Sequence, residues 1–151
     1  MDDTTELVAL NISADANRDL YLRATIATDL LERFPYPGGS TRYEKMWERI
    51  TTDEFTCLCP ITRQPDYASI EVSYAPETWC VESKSLKLYL GSFRQVGTFH
   101  ESVALRIAKD LQELLIPKWL LVVGRFAPRG GIAFRPRASY GMVPDSLLFR
   151  E

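Results

Sequence analysis

Three kinds of chemistry-bearing group lie within a short span of this chain. Cys57-Leu58-Cys59-Pro60 places a thiol just before a proline, and Asp66 follows Cys59 by seven residues. The only histidine, His100, is followed at once by Glu101. Between them, Glu82-Ser83-Lys84-Ser85-Leu86-Lys87-Leu88-Tyr89 carries two lysines and two serines among apolar residues. A thiol, a carboxyl, a basic stripe and a His-Glu pair together suit enzyme chemistry on a polar heterocycle.

Each group has a plainer reading beside the chemical one. Cys59 sits in a proline-bounded loop, where functional groups tend to be carried, but cysteine is also common as inert packing. As a nucleophile it must become a thiolate, and so needs a nearby base or positive charge. Asp66 is close enough in sequence to exchange a proton with a substrate, or it is a solvated turn aspartate. Thr98-Phe99-His100-Glu101 fits a capping box, with Glu101 reaching back to the Thr98 amide; a ligand site needs that carboxylate turned outward. Lys84, Lys87 and Arg94 form either a solvated helix face or a phosphate site near a helix N-terminus. Arg129-Gly130-Gly131 is a tight turn that could also present a guanidinium. Cys57, Cys59, Cys80 and His100 could be read as a zinc set, but a single residue between Cys57 and Cys59 is short for such a pair. No glycine fingerprint of the dinucleotide-binding fold is present, so a nicotinamide cofactor must be held another way.

Positioning these groups requires a mixed architecture. Asp66 to Tyr74 alternates as a strand: Tyr67, Ser69, Glu71 and Ser73 interleave with Ala68, Ile70, Val72 and Tyr74. Ser83 to Arg94 is predicted helical, with Leu86, Tyr89, Leu90 and Phe93 on one face. Thr98 to Leu115 is a second helix, burying Val103, Ile107, Leu111 and Leu114, with Arg106, Lys109, Asp110 and Glu113 facing water and Pro117 stopping it. Trp119 to Phe126 and Ile132 to Tyr140 are strands flanking the Arg129-Gly130-Gly131 turn. Arg42 to Thr52 is read as a strand, Phe55 to Gln64 as a loop, and residues 17 to 33 as a helix. The order of strand, strand, helix, helix, strand, strand predicts an α+β domain: an antiparallel four-stranded sheet with two helices on one face. Its two free edges invite pairing with neighbouring copies into a ring. Pro35-Tyr36-Pro37-Gly38-Gly39-Ser40 is a break that divides an N-terminal arm, residues 1–40, from a catalytic domain, residues 41–151.

The bulk numbers fit this picture. The chain has 151 residues, 46% hydrophobic and 25% charged, enough for one domain with a sizeable core. A net charge of −2 argues against an electrostatic grip on nucleic acid. No apolar run approaches the ~20 residues that span a bilayer, and the acidic start, Met1 to Glu6, lacks the order of a signal peptide. A cytoplasmic location with reduced thiols is expected, since three cysteines make no even disulfide set.

The stretch Phe55-Thr56-Cys57-Leu58-Cys59-Pro60-Ile61-Thr62-Arg63-Gln64-Pro65-Asp66-Tyr67 brings a resemblance into view. With Glu82 to Tyr89, Ser92-Phe93-Arg94, Phe99-His100-Glu101 and Pro128-Arg129-Gly130-Gly131, it resembles the NADPH-dependent 7-cyano-7-deazaguanine reductases, the nitrile reductases of queuosine biosynthesis, in their short single-module form. The resemblance covers roughly Phe55 to Tyr140, and residues 1–40 carry none of it.

The resemblance implies a tunnel fold that assembles as a ring, commonly two stacked pentamers, with active sites at subunit interfaces. It implies that Cys59 attacks the nitrile carbon to form a thioimide, and that Asp66 is the general acid. Two NADPH molecules would then reduce the carbon to the aminomethyl product. Val81, Glu82, Ser83, His100 and Glu101 would bind substrate, with His100 closing the reacting centre from water. Ser83, Lys84, Ser85 and Lys87 would hold the cofactor, with Arg129 on its phosphates; no metal and no direct nucleic-acid contact are implied. Val103 stands where some members carry a second cysteine, so a bridge to the nucleophile would need Cys57 or Cys80. Two rivals share parts of this pattern: a tunnel-fold enzyme forming an amidine from the same nitrile in tRNA, and a non-catalytic purine-binding ring protein.

Overall fold

Alternation along residues 65–75 sets the centre of the sheet. The computed structural model describes residues 24–38 and 46–149. The strands are β1 (Arg33–Pro35), β2 (Glu48–Leu58), β3 (Pro65–Ala75) and β4 (Trp79–Val81). Helices α1 (Ser83–Gly91) and α2 (His100–Leu115) follow, then β5 (Trp119–Phe126), β6 (Arg137–Gly141) and a short α3 (Asp145–Leu148). Strands β2, β3, β5 and β6 lie side by side in that order, all antiparallel. This is the expected four-stranded sheet, with both helices packed on one face.

The core explains that arrangement. Ala68, Ile70, Val72 and Tyr74 of β3 share one apolar cluster with Leu86 and Tyr89 of α1, with Val103, Ile107 and Leu111 of α2, and with Leu120 and Val122 of β5. The opposite sheet face is covered beside β5, where Leu121 and Val123 pack against Val143, Leu147 and Leu148. On that same face Glu71 is buried between Arg49 and Arg125, at 2.9 and 3.1 Å.

Several expectations change. Within the expected helix 17–33, the described part holds only a 3-10 turn, Thr28–Leu30, before β1 begins. Strand pairing wins there, because β1 closes an unexpected two-stranded ribbon with β4. The strand expected at Arg42 to Thr52 is displaced to Glu48–Leu58, and residues 39–45 lie outside the described residues, as does the boundary expected near residue 40. Phe55 to Leu58, expected as loop, belongs to β2, and a bulge between Thr52 and Phe55 shifts the register. The 3-10 turn Ser92–Gln95 ends the first helical segment. The return strand begins at Arg137 rather than Ile132, although Phe134 and Pro136 still accept amides of β5.

Asp110 departs most from expectation. It is buried rather than water-facing. It accepts the Tyr89 hydroxyl at 2.8 Å, Arg106 Nε at 2.7 Å and the Thr28 hydroxyl at 3.2 Å. The cluster ties residues 24–38 to both helices, as do Ala27 N–H to Ser92 Oγ and Glu32 N–H to Ser85 Oγ. Removing Asp110 leaves the buried Tyr89 hydroxyl without its acceptor, which costs about 1–3 kcal/mol, while the Arg106 side chain, 43% exposed, is left to water. Asp110→Ala is therefore expected to lose about 2 kcal/mol in urea unfolding, and a loss under about 0.5 kcal/mol would show that the cluster is dispensable.

Candidate active site

The β2–β3 connection is closed at its base. Cys59 N–H donates to Gln64 O at 2.8 Å, and Arg63 N–H donates to Cys59 O at 3.0 Å. Arg63 takes φ 60°, a left-handed turn conformation that lets so short a loop reverse. The loop lies against Gly97, where an added Cβ would come within 2.8 Å of the Arg63 guanidinium and 3.3 Å of Pro60 Cα. Leu58 N–H bonds to Val96 O and Thr98 N–H to Leu58 O. These bonds lay the entry to α2, and so His100, beside the end of β2.

The three cysteines have different fates. Burial, with Asp66 beside it, pushes the Cys57 thiol up to about 12, and burial pushes Cys80 up to about 11. Cys59 moves the other way, from 9.0 down to about 7. The Thr62 hydroxyl contributes most, followed by the amides of Thr62 and Ile61, with the Arg129 guanidinium adding to them. The positive surroundings required by the sequence reading are thus hydrogen-bond donors of the loop itself plus one arginine. Cys57, Cys59, Cys80 and His100 do not converge as a metal set among the described residues. All three cysteines are free, and Val103 is buried in the core.

Asp66 points inward opposite Cys57 and is 5% exposed. A buried carboxylate must be paired, and two partners meet it. His100 Nε2 lies 3.3 Å from one oxygen and Arg129 2.7 Å from the other. His100 stacks on Phe126, ring centroids 3.9 Å apart and 14° from parallel, while Phe134 stands edge-on at 5.3 Å. These aromatic contacts fix the imidazole plane so that Nε2 addresses Asp66. Arg129 also donates toward Gln64 O and Pro65 O, at 3.5 and 3.3 Å. Gly130 and Gly131, at φ 56° and 80°, provide the turn that holds it there. Cys59, Asp66, His100 and Arg129 therefore form one constellation. Phe126, Phe134 and Thr62 complete it and were missed in the sequence; for Thr62, the available signal was a hydroxyl in the same proline-bounded loop as a thiol.

The remaining expected residues form a second group. The Glu82 carboxylate caps α1, accepting the amides of Lys84 and Ser85 at 2.8 and 2.6 Å and the Ser83 hydroxyl at 3.3 Å. The helix N-terminus expected to bind phosphate is therefore filled by the chain's own anion. Ser85 is buried, its hydroxyl bonded to Glu82 O at 2.7 Å and to Glu32, which removes it from the surface expected to meet cofactor. Val81 is buried and donates its amide to the Tyr74 hydroxyl. Ser83 and Lys87 are exposed, and Lys84 is half-buried. Glu101 is exposed in the first turn of α2. It closes no capping box: Phe99 is the cap residue and makes no side-chain cap bond, while the Thr98 hydroxyl points to Phe99 O. On the reverse side of the β2–β3 pair, Thr56, Tyr67 and Arg94 line a shallow groove of about 350 Å³, away from Asp66.

Several known proteins resemble this chain. The family profile described as QueF-like protein matches residues 65–144, from β3 through β6. The NADPH-dependent 7-cyano-7-deazaguanine reductase of Ruegeria pomeroyi is 50% identical over 128 residues, covering 78% of this chain and 81% of the relative. The enzyme of that name from an Anaeromyxobacter species is 50% identical over 114 residues, covering 76% and 91%. That of Bacteroides fragilis is 51% identical over 115 residues, covering 76% and 74%. The crystal structure of an apo archaeosine synthase QueF-Like superposes with a TM-score of 0.60 at 22% identity, over 65% of this chain and 96% of the other, which shows a shared fold. Half of the aligned residues are shared with these reductases across most of both chains, so this chain belongs to the QueF-like family of NADPH-dependent 7-cyano-7-deazaguanine reductases.

Proposed function

We propose that the protein reduces the nitrile of 7-cyano-7-deazaguanine to the aminomethyl group of 7-aminomethyl-7-deazaguanine, a step of queuosine biosynthesis in the cytoplasm, through a covalent bond to Cys59. The observation that carries this is the buried Asp66, held between His100 Nε2 and Arg129 at the end of the closed loop that bears the free Cys59 thiol. Nitriles are weak electrophiles, and attack on one requires a thiolate and a proton for the nitrogen. Cys59 Sγ forms the bond to the nitrile carbon. Asp66 gives a proton to the nitrile nitrogen, and His100, bonded to Asp66, replaces it. NADPH, when bound, supplies the two hydrides that take this carbon to the amine level, two cofactors per turnover. After the first reduction the carbon–sulfur bond breaks, and the loop donors receive the sulfur again as thiolate. His100 and its aromatic partners cover the carbon from water, which would otherwise hydrolyse the imine.

The donor set fits a phosphorylated dinucleotide. Ser83, Lys84 and Lys87 present a hydroxyl and two ammonium groups on α1, and with Glu82 occupying the helix amides the phosphates would be met by side chains. A phosphate contact from Arg129 would compete with Asp66. Glu101, beside His100 and exposed, suits the donor edge of the guanine-like ring. Glu82 accepts the Ser83 hydroxyl at 3.3 Å, and Val81 is fixed by its bond to Tyr74. Among the described residues β2 and β6 are the sheet edges, and Trp47, Tyr140 and Met142 are exposed near them. Edge pairing would bury these side chains and close a ring, two stacked pentamers with sites between subunits. No helix among the described residues is long and apolar enough to cross a membrane.

Intact mass spectrometry after mixing with the nitrile alone is expected to show a gain equal to the whole substrate, since addition loses no atoms. Adding NADPH is then expected to discharge the adduct with oxidation of cofactor. An adduct without NADPH consumption would favour amidine formation instead, and the absence of both adduct and NADPH consumption would refute the reading.

A further inference from the structure

The proposed chemistry asks Asp66 for a proton without saying which of its two oxygens carries it. The two oxygens are not equivalent. Oδ1 stands 2.7 Å from the Arg129 guanidinium, and Oδ2 stands 3.3 Å from His100 Nε2. Arg129 Nη2 is the meeting point of three oxygens from consecutive residues: Asp66 Oδ1 at 2.7 Å, Pro65 O at 3.3 Å and Gln64 O at 3.5 Å. The turn that delivers this nitrogen is closed on itself, with Arg129 N–H donating to Ile132 O at 3.1 Å and Ile132 N–H to Arg129 O at 3.0 Å. A guanidinium has hydrogens to donate, nothing to accept with, and keeps its proton in proteins. A proton on Oδ1 would therefore point at another hydrogen. A proton on Oδ2 meets no such obstacle, because an imidazole nitrogen can give or take one. Asp66 is buried, so water does little to blur the difference.

We propose that Arg129 is a positioning residue for the general acid: by holding Oδ1 as an acceptor, it confines the transferable proton of Asp66 to Oδ2, the oxygen that His100 addresses. In the addition, Cys59 Sγ forms its bond to the nitrile carbon, one carbon–nitrogen π bond breaks, and the nitrogen takes the Oδ2 proton; no group leaves. The carboxylate that remains stays paired with Arg129 and is reloaded from His100 on the same oxygen. This rests on the reductase reading and deepens it, giving the guanidinium a task in the first step, which needs no cofactor.

The experiment compares Arg129→Gln and Arg129→Lys in the full chain. Glutamine keeps a donor but adds a carbonyl that can accept a proton from Oδ1, whereas lysine is a donor only. Single-turnover mass spectrometry with the nitrile and no NADPH should show adduct formation slowed about 100-fold in Arg129→Gln and largely retained in Arg129→Lys. Iodoacetamide alkylation of Cys59 needs thiolate but no proton donor, so it controls for the sulfur. Arg129 contributes least among the groups that lower this thiol, and the alkylation rate should change far less than the adduct rate. The KM for NADPH, read from residual turnover, should stay near wild type. An unchanged adduct rate with a raised NADPH KM would make Arg129 a phosphate contact and overturn the inference while leaving the reductase reading intact. Alkylation slowed as much as adduct formation would place the effect on the sulfur and overturn it as well. So would two variants that lose thermal midpoint and adduct rate equally, the mark of a merely structural arginine. A wild-type protein that forms no adduct would overturn the reductase reading and this inference with it.

Discussion

Cys59→Ala should bind the nitrile yet oxidise no NADPH in its presence, a loss of about 10⁴-fold or more in turnover. The expectation is this large because the sulfur does more than polarise a bond. Without it there is no covalent step, and hydride would have to add to a nitrile directly. Cys59→Ser should be almost as inactive, because the donors that suffice for a thiol cannot ionise a far less acidic hydroxyl. Binding is read by calorimetry and turnover by cofactor absorbance. Turnover within about 100-fold of wild type would exclude the covalent route.

Asp66→Asn gives the second large effect. The amide retains the size of the side chain and an acceptor for Arg129, but it has no proton to give. Nitrile nitrogen protonation should then fall to water, slowing adduct formation by roughly 10² to 10⁴-fold. Single-turnover mass spectrometry measures this directly. The pH midpoint of Cys59 alkylation should move far less than the adduct rate, because the groups that lower the Cys59 thiol are Thr62, Ile61 and Arg129 rather than Asp66. An adduct rate equal to wild type would remove Asp66 from the chemistry.

Much of the fold was legible because its helices and central strand carry whole periods. Residues 66–74 alternate without interruption, and the apolar positions of α1 and α2 recur as helical stripes that the core confirms. The failures have local causes. In β2 the less exposed positions are even-numbered at Glu48, Ile50 and Thr52 and become odd-numbered at Phe55 and Cys57, because the bulge absorbs one step. A reader following one parity loses the strand there, and Pro60 then suggests a loop. Strand β4 has three residues, too few to alternate, and its partner β1 is remote in sequence. Asp110 looks solvated on a helical wheel; only the arrival of Thr28 and Tyr89 covers it.

The site was legible to different depths. Cys59, Asp66, His100 and Arg129 could be named from motif likeness, but not their mutual contacts, which depend on the pairing of Leu58 with the 96–98 segment. The lysine and serine run suggested an anion site at a helix entrance. The sequence pattern does not say that Glu82 would turn back onto its own helix, since a carboxylate at that position serves a ligand and a cap equally well.

Most of the donors that hold the Cys59 sulfur come from six contiguous residues, while proton supply draws on a neighbouring strand, a helix and a distant turn. Making the thiol reactive and choosing what happens to its adduct are therefore separable inheritances. A lineage could redesign helix α1 or the Arg129 turn and change the fate of the trapped carbon, while the hexapeptide went on capturing the same electrophile unchanged.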